Sequence, residues 1–387
     1  MCAAAAPLPP RTGFTLVLEA LLEELRRRHE VRVIAGRLPG QTGEPAHDVQ
    51  LIPVPAEPVR DVLAAVLRSR PRYAARLPTG FRAAVLAELD AFQPDAVIVL
   101  SARLAQLGAD LRRRPGLAAL VVPLDAVHLG IQTRRRASSG LKRWLLGIEE
   151  ARVRRFEATE YRAFDRVVVV SDQDRQAIEA LDPTLRVEVI PNGVDTERFA
   201  PDPTVTRDPA QIVFTGVMSS PGNVVAAEFA AREVLPLVRA AEPAAHLVLV
   251  GRSPSSRVRA LAAVEGVTVT GDVPDVRPWL AGSAVFLCPM VSGTGIKNKL
   301  LEAMAVGVPC VATPLGLGGL QVQDGRELLV GDGAAQLADR VVAVLRDAAL
   351  ADRLGSAGRA YVREHHAWAD VGRRYERLLA DLRERRR

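Results

Sequence analysis

Short apolar runs recur along the chain, each followed by a longer stretch with helical periodicity: VRVIA (31–35), AVIVL (96–100), ALVVPLDAVH (119–128), RVVVV (166–170), IVFTG (212–216) and AVFLCP (284–289). A run without alternation suits a strand buried on both faces. Strands that alternate with helices imply βαβ crossovers and a parallel sheet. The pattern therefore predicts an α/β fold of doubly wound parallel sheets. At 387 residues the chain is too long for one ordinary core, so two domains are expected, 1–200 and 201–366, with PDPTVTRDP (201–209) as the hinge and a last segment at 367–387. The first strand, Cys2–Ala6, is alanine-rich and poor in β propensity. Helices are expected at 15–28, near 58–70 and 78–91, and over 140–160.

The most informative stretch is GTGIKNKLLEAMAVGVPCVATP (293–314), which reads as a glycine loop, a helix opening near Ile296 and a buried strand. Gly293 and Gly295 let backbone approach a ligand, and a helix opening offers unpaired N–H groups and partial positive charge, a seat for phosphate. Of 51 Lys+Arg residues only Lys142, Lys297 and Lys299 are lysine, so two of three lysines fall here. On a helix Lys299 and Glu302 lie about 60° apart and about 4.5 Å along the axis. A nucleotide diphosphate laid along the helix would meet Lys299 and the N–H groups, with Glu302 accepting from ribose hydroxyls. The alternative is a solvated i,i+3 ion pair capped by Thr294. Ile296, Leu300 and Met304 form the inward line.

In the first half, Asp125 and His128 end a strand at the sheet edge where parallel sheets present ligands, so both are candidates for contacting a sugar or acceptor, against structural roles for each. The triplet Asp172-Gln173-Asp174 has the look of a metal motif, but it opens a helix where Ser171 and Asp174 make a capping-box-like start. Cys2, Cys288 and Cys310 have no metal-type spacing and read as reduced core residues. No metal and no cofactor are expected.

Composition narrows the partners. The hydrophobic fraction is 48% and no 18-residue apolar run exists, so the chain reads as globular, without a spanning segment or secretion signal, and cytoplasmic. The net charge of +6 favours acidic partners, but the arginines are scattered and aromatics are only 4%, which argues against nucleic acid. IQTRRRASSGLKRWLLG (131–147) places Arg134, Arg135, Arg136, Lys142 and Arg143 beside Trp144, Leu145 and Leu146. Such a segment suits peripheral contact with an anionic membrane or a negatively charged acceptor; a solvated loop and helix face is the alternative.

LLEAMAVGVPCVATP (300–314) resembles the nucleotide-sugar signature of the retaining family-4 glycosyltransferases of GT-B architecture. IPNGVDTERFAP (190–201), IVFTGV (212–217), HLVLVGRSP (246–254) and VTVTGDVPDVRPWLAGSAVFLCP (267–289) are similar to that family in order and spacing. The resemblance implies two Rossmann-like domains facing across a cleft and a last helix crossing back to the first. It implies metal-independent transfer of a hexose-type sugar from a nucleotide-diphosphate donor to an acceptor hydroxyl, the leaving phosphate itself taking the acceptor proton. Gly13 is then a candidate for lining the cleft, a helix-entry turn that needs no ligand being the alternative; Gly216 approaches the diphosphate, and Val273, in the loop 271–276, flanks the base. Two departures stand out. VMSSPGN (217–223) replaces the family's phosphate-clamping Arg and Lys-Gly pair, which leaves that work to Lys297, Lys299, Arg252 and helix N-termini. Thr294 replaces the first Glu of E-x7-E, which touches the donor sugar, while Glu302 keeps the second, which touches the ribose. A sugar-nucleotide epimerase or phosphorylase on the same fold and a non-catalytic nucleotide-sugar-binding subunit stay open as alternatives. A dehydrogenase is disfavoured, since no G-x-G-x-x-G follows a strand.

Overall fold

A computed structural model describes residues 1–8, 13–45, 48–54, 70–74, 77–136, 138–292 and 295–385. Gly293, Thr294 and nearly all of the helical segment expected near 58–70 lie outside them. The chain divides into two units, Met1–Pro191 with Val371–Arg387, and Asn192–Asp370.

The first unit holds strands β1 (Cys2–Ala3), β2 (Ile34–Arg37), β3 (Gln50–Pro53), β4 (Ala96–Leu100), β5 (Ala118–Leu124), β6 (Arg166–Val169) and β7 (Val187–Val189). All neighbours pair in parallel, in the order β3-β2-β1-β4-β5-β6-β7. Among the described residues its helices of eight or more residues are α1 (Gly13–Arg26), α2 (Phe81–Phe92), α3 (Val127–Arg136), α4 (Gly140–Glu160) and α5 (Asp172–Glu179). Strands β4 to β6 are apolar almost throughout because helices cover both faces.

β1 is shorter than expected. Past Ala3 only single bonds continue it, Ala4 N–H to Leu100 O at 3.3 Å and Ala6 N–H to Gly36 O at 2.7 Å, as its alanines and Pro7 would suggest. β2 starts at Ile34 rather than residue 31, because its ladder begins opposite Cys2 on one side and Gln50 on the other. β5 stops at Leu124, so His128 lies in the first turn of α3 instead of at a strand's end. Leu124 itself turns with φ of 72°, a conformation that L side chains resist.

The second unit repeats the scheme with β8 (Asp208–Thr215), β9 (His246–Val250), β10 (Val267–Gly271), β11 (Ser283–Cys288), β12 (Cys310–Ala312) and β13 (Leu329–Val330). All pairs are parallel, in the order β10-β9-β8-β11-β12-β13. The long helices are α6 (Pro221–Phe229), α7 (Asn298–Val306), α8 (Gly333–Arg346) and α9 (Ala348–His365). After α6 a π turn at Ala230–Val234 leads into Leu235–Ala241, where Pro236 withholds a helical donor. The last helix, α10 (Trp368–Glu384), starts in this unit and ends in the first. The boundary falls before the turn at 192–195 because that turn is fastened to the start of α10. Val194 N–H donates to His366 O at 2.7 Å, and a Cβ on Gly193 would sit 2.6 Å from the Trp368 ring.

In each unit the strand order reverses beside its first strand, between β1 and β4 and between β8 and β11. The carboxyl ends there form the crevice where open α/β sheets bind ligands.

Tyr161, just after α4, is fully buried in the first unit's core, and its hydroxyl makes no hydrogen bond among the described residues. Burial drives its pKa well above the ordinary tyrosine value, and Glu157 adds to the shift. Tyr161→Phe is therefore expected to stabilise the protein by about 1–3 kcal/mol, the cost of an unpaired buried polar group. Urea unfolding of the two proteins tests this, and a destabilised variant would show that the hydroxyl has a partner.

Candidate active site

Apart from Asn298, Lys299 and Glu302, helix α7 is apolar, and Leu300, Leu301, Ala303, Met304, Ala305 and Val306 are all buried. Each large member contributes about 1.5–3 kcal/mol by leaving water. Gly307, with φ of 83°, ends the helix in the left-handed conformation that lets the chain turn back into β12. The helix opens at Asn298, two residues later than expected from the sequence. Ile296 precedes it and is buried at 9% exposure. Lys297 occupies the N-cap position, where its side chain makes no cap bond and its Nζ donates to Gly295 O at 2.7 Å. Gly295 is boxed in, since a Cβ on Gly318 would lie 2.0 Å from its carbonyl oxygen.

Lys299 points toward the end of β8. Its Nζ donates to Asn223 Oδ1 and sits 4.4 Å from the centroid of the Phe214 ring. Asn223, in the first turn of α6, is held by its own amide nitrogen, which donates to Val217 O at 3.0 Å. Gly216 makes room for the pair, because a Cβ there would stand 2.7 Å from Asn223 Nδ2 and 3.0 Å from Lys299 Nζ. Gly251, at the end of β9, backs onto Gly216 so closely that a Cβ would come 1.8 Å from its oxygen. Burial lowers the Lys299 pKa from 10.5 to about 8; Cys288 pulls it up, Lys297 pushes it down and Glu302 pulls it up.

Glu302 lies one turn further along. Among the described residues it makes no hydrogen bond and no ion pair, so the i,i+3 pair with Lys299 does not form. Burial raises its pKa, while the positive charges of Lys299 and Arg198 oppose the rise. An amine and an acceptor-only carboxylate thus stand one helical turn apart, both largely wrapped by protein. Arg252 follows Gly251, and its carbonyl accepts from Met218 N–H at 2.9 Å. The loop carrying Val273 joins the same edge through Asp272, whose Oδ1 accepts from Ser253 N–H at 2.6 Å. Gly216, Arg252, Lys299 and Glu302 therefore share one crevice edge of the second unit, with Val273 on the adjoining loop.

In the first unit Gly13 is the first residue of α1 and Asp125 follows β5 directly. His128 is buried, at 2% exposure, with its Nδ1 2.6 Å from Glu157 Oε2. The Asp172-Gln173-Asp174 triplet serves the fold. Ser171 Oγ accepts from Asp174 N–H at 3.2 Å, Asp174 Oδ1 accepts from Ala126 N–H at 2.9 Å, and Asp172 pairs with Arg175 at 2.8 Å.

Two family models match the chain, Glycosyltransferase Family 4 over residues 12–198 and Glycosyl transferases group 1 over residues 209–347. The chain is 28% identical over 403 residues to a GDP-mannose-dependent alpha-(1-6)-phosphatidylinositol monomannoside mannosyltransferase of Mycolicibacterium smegmatis, covering 98% of this chain and 97% of the relative. It is 32% identical over 246 residues to the alpha-maltose-1-phosphate synthase of the same organism, covering 56% and 62%. Among solved structures it resembles a sucrose-phosphate synthase from Thermosynechococcus elongatus, with a TM-score of 0.73 at 19% identity over 98% of both chains. HepE from Anabaena in complex with UDP gives a TM-score of 0.67 at 14% identity over 98% of this chain and 99% of that one. The chain belongs to glycosyltransferase family 4.

This family-4 glycosyltransferase has the GT-B fold and uses nucleotide-sugar donors. The sequence reading missed Asn223, although VMSSPGN was the segment flagged for lacking the clamp. The available signal was a polar residue in the first turn of a helix whose only charged residue is Glu228. Its partner Lys299 is 76 residues away. Glu157 was also missed, as one glutamate among several on α4.

A charged amine that folding removes from water opposes folding. With the Lys299 pKa at about 8 folded and 10.5 unfolded, the penalty is complete below pH 8 and fades as pH rises toward 10.5. Lys299→Met is expected to stabilise the protein at pH 7 by about 1–3 kcal/mol, allowing for partial exposure, with the gain shrinking between pH 8 and 10.5. Thermal melts across that range test it, and no gain at pH 7 would mean that the amine keeps its hydration.

Proposed function

We propose that this glycosyltransferase moves a hexose-type sugar from a nucleoside-diphosphate donor to an acceptor hydroxyl with retained configuration and without a metal. The observation that carries the reading is the pairing of roles on α7, a weakly hydrated amine at Lys299 and a carboxylate at Glu302 that has no partner among the described residues. The diphosphate lies at Lys299, the open end of α7 and the backbone beside Gly216, with Arg252 as a further cation and Lys297 in reserve on Gly295. Glu302 accepts from the ribose hydroxyls, and the loop at Val273 flanks the base. Charge develops on the β-phosphate as its bond to the anomeric carbon breaks, and donors already in place stabilise it without reorganising. The acceptor oxygen bonds the anomeric carbon, and its proton passes to the departing phosphate. His128 meets a substrate hydroxyl, and Asp125 and Gly13 lie toward the acceptor. The GDP-mannose-dependent mannosyltransferase among the relatives favours GDP-mannose as the first donor to try, and the UDP complex of HepE favours UDP-sugars as the second.

Calorimetric titration of GDP, UDP, ADP and dTDP without added metal tests the donor site. One nucleotide should bind at about micromolar level and lose about 1.5–3 kcal/mol in Glu302→Ala, the size expected for hydrogen bonds to a charged group. If no nucleotide binds, or the variant is indifferent, the assignment fails.

The acceptor reading extends to a membrane surface. At the start of α4, Leu141, Trp144 and Leu145 are 71%, 62% and 52% exposed. With the partly buried Ile148 they form one helical face, and Arg134, Arg136, Lys142 and Arg143 are exposed nearby. Among the described residues no helix is long and apolar enough to cross a membrane. An apolar face set among cations suits peripheral docking on anionic lipid. The protein should sediment with phosphatidylglycerol vesicles and not with phosphatidylcholine ones. Binding should weaken in salt and be lost when Leu141, Trp144 and Leu145 are all changed to Ala. Equal recovery with both lipids would remove the membrane role.

A further inference from the structure

We propose that Glu157, buried inside α4, is a positioning residue that fixes the tautomer of His128 and presents Nε2 of its ring to a substrate hydroxyl. The inference rests on the role given to His128 above.

The segment after β5 is unusually constrained. Leu124 turns at φ of 72°, a conformation that L residues resist, and so needs neighbours that hold it. Two carboxylates from later elements take consecutive N–H groups of that turn. Asp174 Oδ1 accepts from Ala126 N–H at 2.9 Å, and Glu157 Oε1 accepts from Val127 N–H at 2.8 Å. The second oxygen of Glu157 lies 2.6 Å from His128 Nδ1. Glu157 is 0% exposed and His128 2%.

The direction of these bonds follows from elementary inventory. Val127 N–H can only donate, so Oε1 accepts. An ionised carboxylate has nothing to donate, so the bond at Oε2 requires the proton on Nδ1. In the neutral ring Nε2 then carries the lone pair. It makes no hydrogen bond among the described residues. Anchoring the helix start alone would not need this. A Ser or Asp cap satisfies first-turn N–H groups from the surface, whereas burying a carboxylate costs several kcal/mol unless each oxygen is bonded. Here one oxygen holds the backbone and the other holds the ring, so ring and backbone are fixed in one geometry.

Glu157→Gln separates positioning from support. The amide has one oxygen and one NH2 group. Val127 N–H claims the oxygen, so the NH2 group faces Nδ1 and can bond only a deprotonated nitrogen. The ring must switch to the Nε2–H form, and Nε2 then donates where it had accepted.

The test uses the full 15N-labelled chain without ligand. Two-bond 1H–15N spectra report the tautomer, and loss of signals in His128→Gln assigns the ring. The wild type should show Nδ1–H and Glu157→Gln should show Nε2–H. With the nucleotide sugar selected by the donor screen, kcat in Glu157→Gln should fall roughly 10- to 100-fold, the scale of one unmade hydrogen bond, with donor Kd within about twofold. A wild-type Nε2–H ring, or an unchanged ring in the variant, overturns the proposal, and the wild-type spectrum decides even if the variant folds poorly. A switched ring with unchanged kcat reduces Glu157 to a helix anchor. No turnover with any donor removes the substrate-facing role together with the proposed function, and the ligand-free spectra show that the fault then lies with that reading rather than with the tautomer.

Discussion

An amine held largely out of water and, among the described residues, paired with no carboxylate sets the terms for the second unit. Lys299 is oriented by the amide oxygen of Asn223 and the face of Phe214, both of which favour a cation without cancelling it. An aspartate at 223 would hold the lysine more strongly and neutralise it. The remaining features of that edge serve this placement. Gly216 and Gly251 give up side chains so that two strand ends and the amine can crowd together. The apolar flanks of α7 fix the helix on which the lysine stands, and Val217 O holds the far end of Asn223.

The first unit applies the same logic with the opposite sign. Buried carboxylates replace the half-buried amine, and each accepts one N–H of the same short turn, the second oxygen of Glu157 facing His128 and that of Asp174 accepting from Ser171 Oγ–H. The result is a rigid segment at the carboxyl edge of β5, where strain at Leu124 is offset by bonds from α4 and α5. Both units therefore place poorly hydrated charges next to strand ends, where helix openings supply dipoles and the sheet supplies a stiff base.

What the sequence made legible was whatever local pattern controls. β4 and α4 fall where the apolar run and the helical period put them, at Ala96–Leu100 and Gly140–Glu160. Elements that depend on partners slipped. β2 begins where its ladder begins, and β1 shrinks because alanines give a strand little to pack. In the site, periodicity brought Lys299 and Glu302 onto neighbouring positions of one helix, but it could not say that the lysine would turn toward α6. Asn223 and Lys299 meet across 76 residues, and His128 and Glu157 across 29. Such contacts are properties of the fold, which places the ends of separated strands side by side.

The missing clamp is then less of a loss than it looks from the sequence. Where the resemblance leads one to expect a clamping Arg and a Lys-Gly pair, the chain has VMSSPGN (217–223), so two fewer cations face the proposed diphosphate. Coulombic strength depends on surroundings as well as number, and a charge in a poorly hydrated setting acts more strongly than several in water. Lys299 is such a charge, its pKa already drawn down to about 8 before any anion arrives. An anion at that place would restore a partner to an amine that folding has left with an amide and a ring. The gain on binding would come largely from relieving that penalty, so a single preorganised lysine can take over work that a pair of hydrated side chains performs elsewhere.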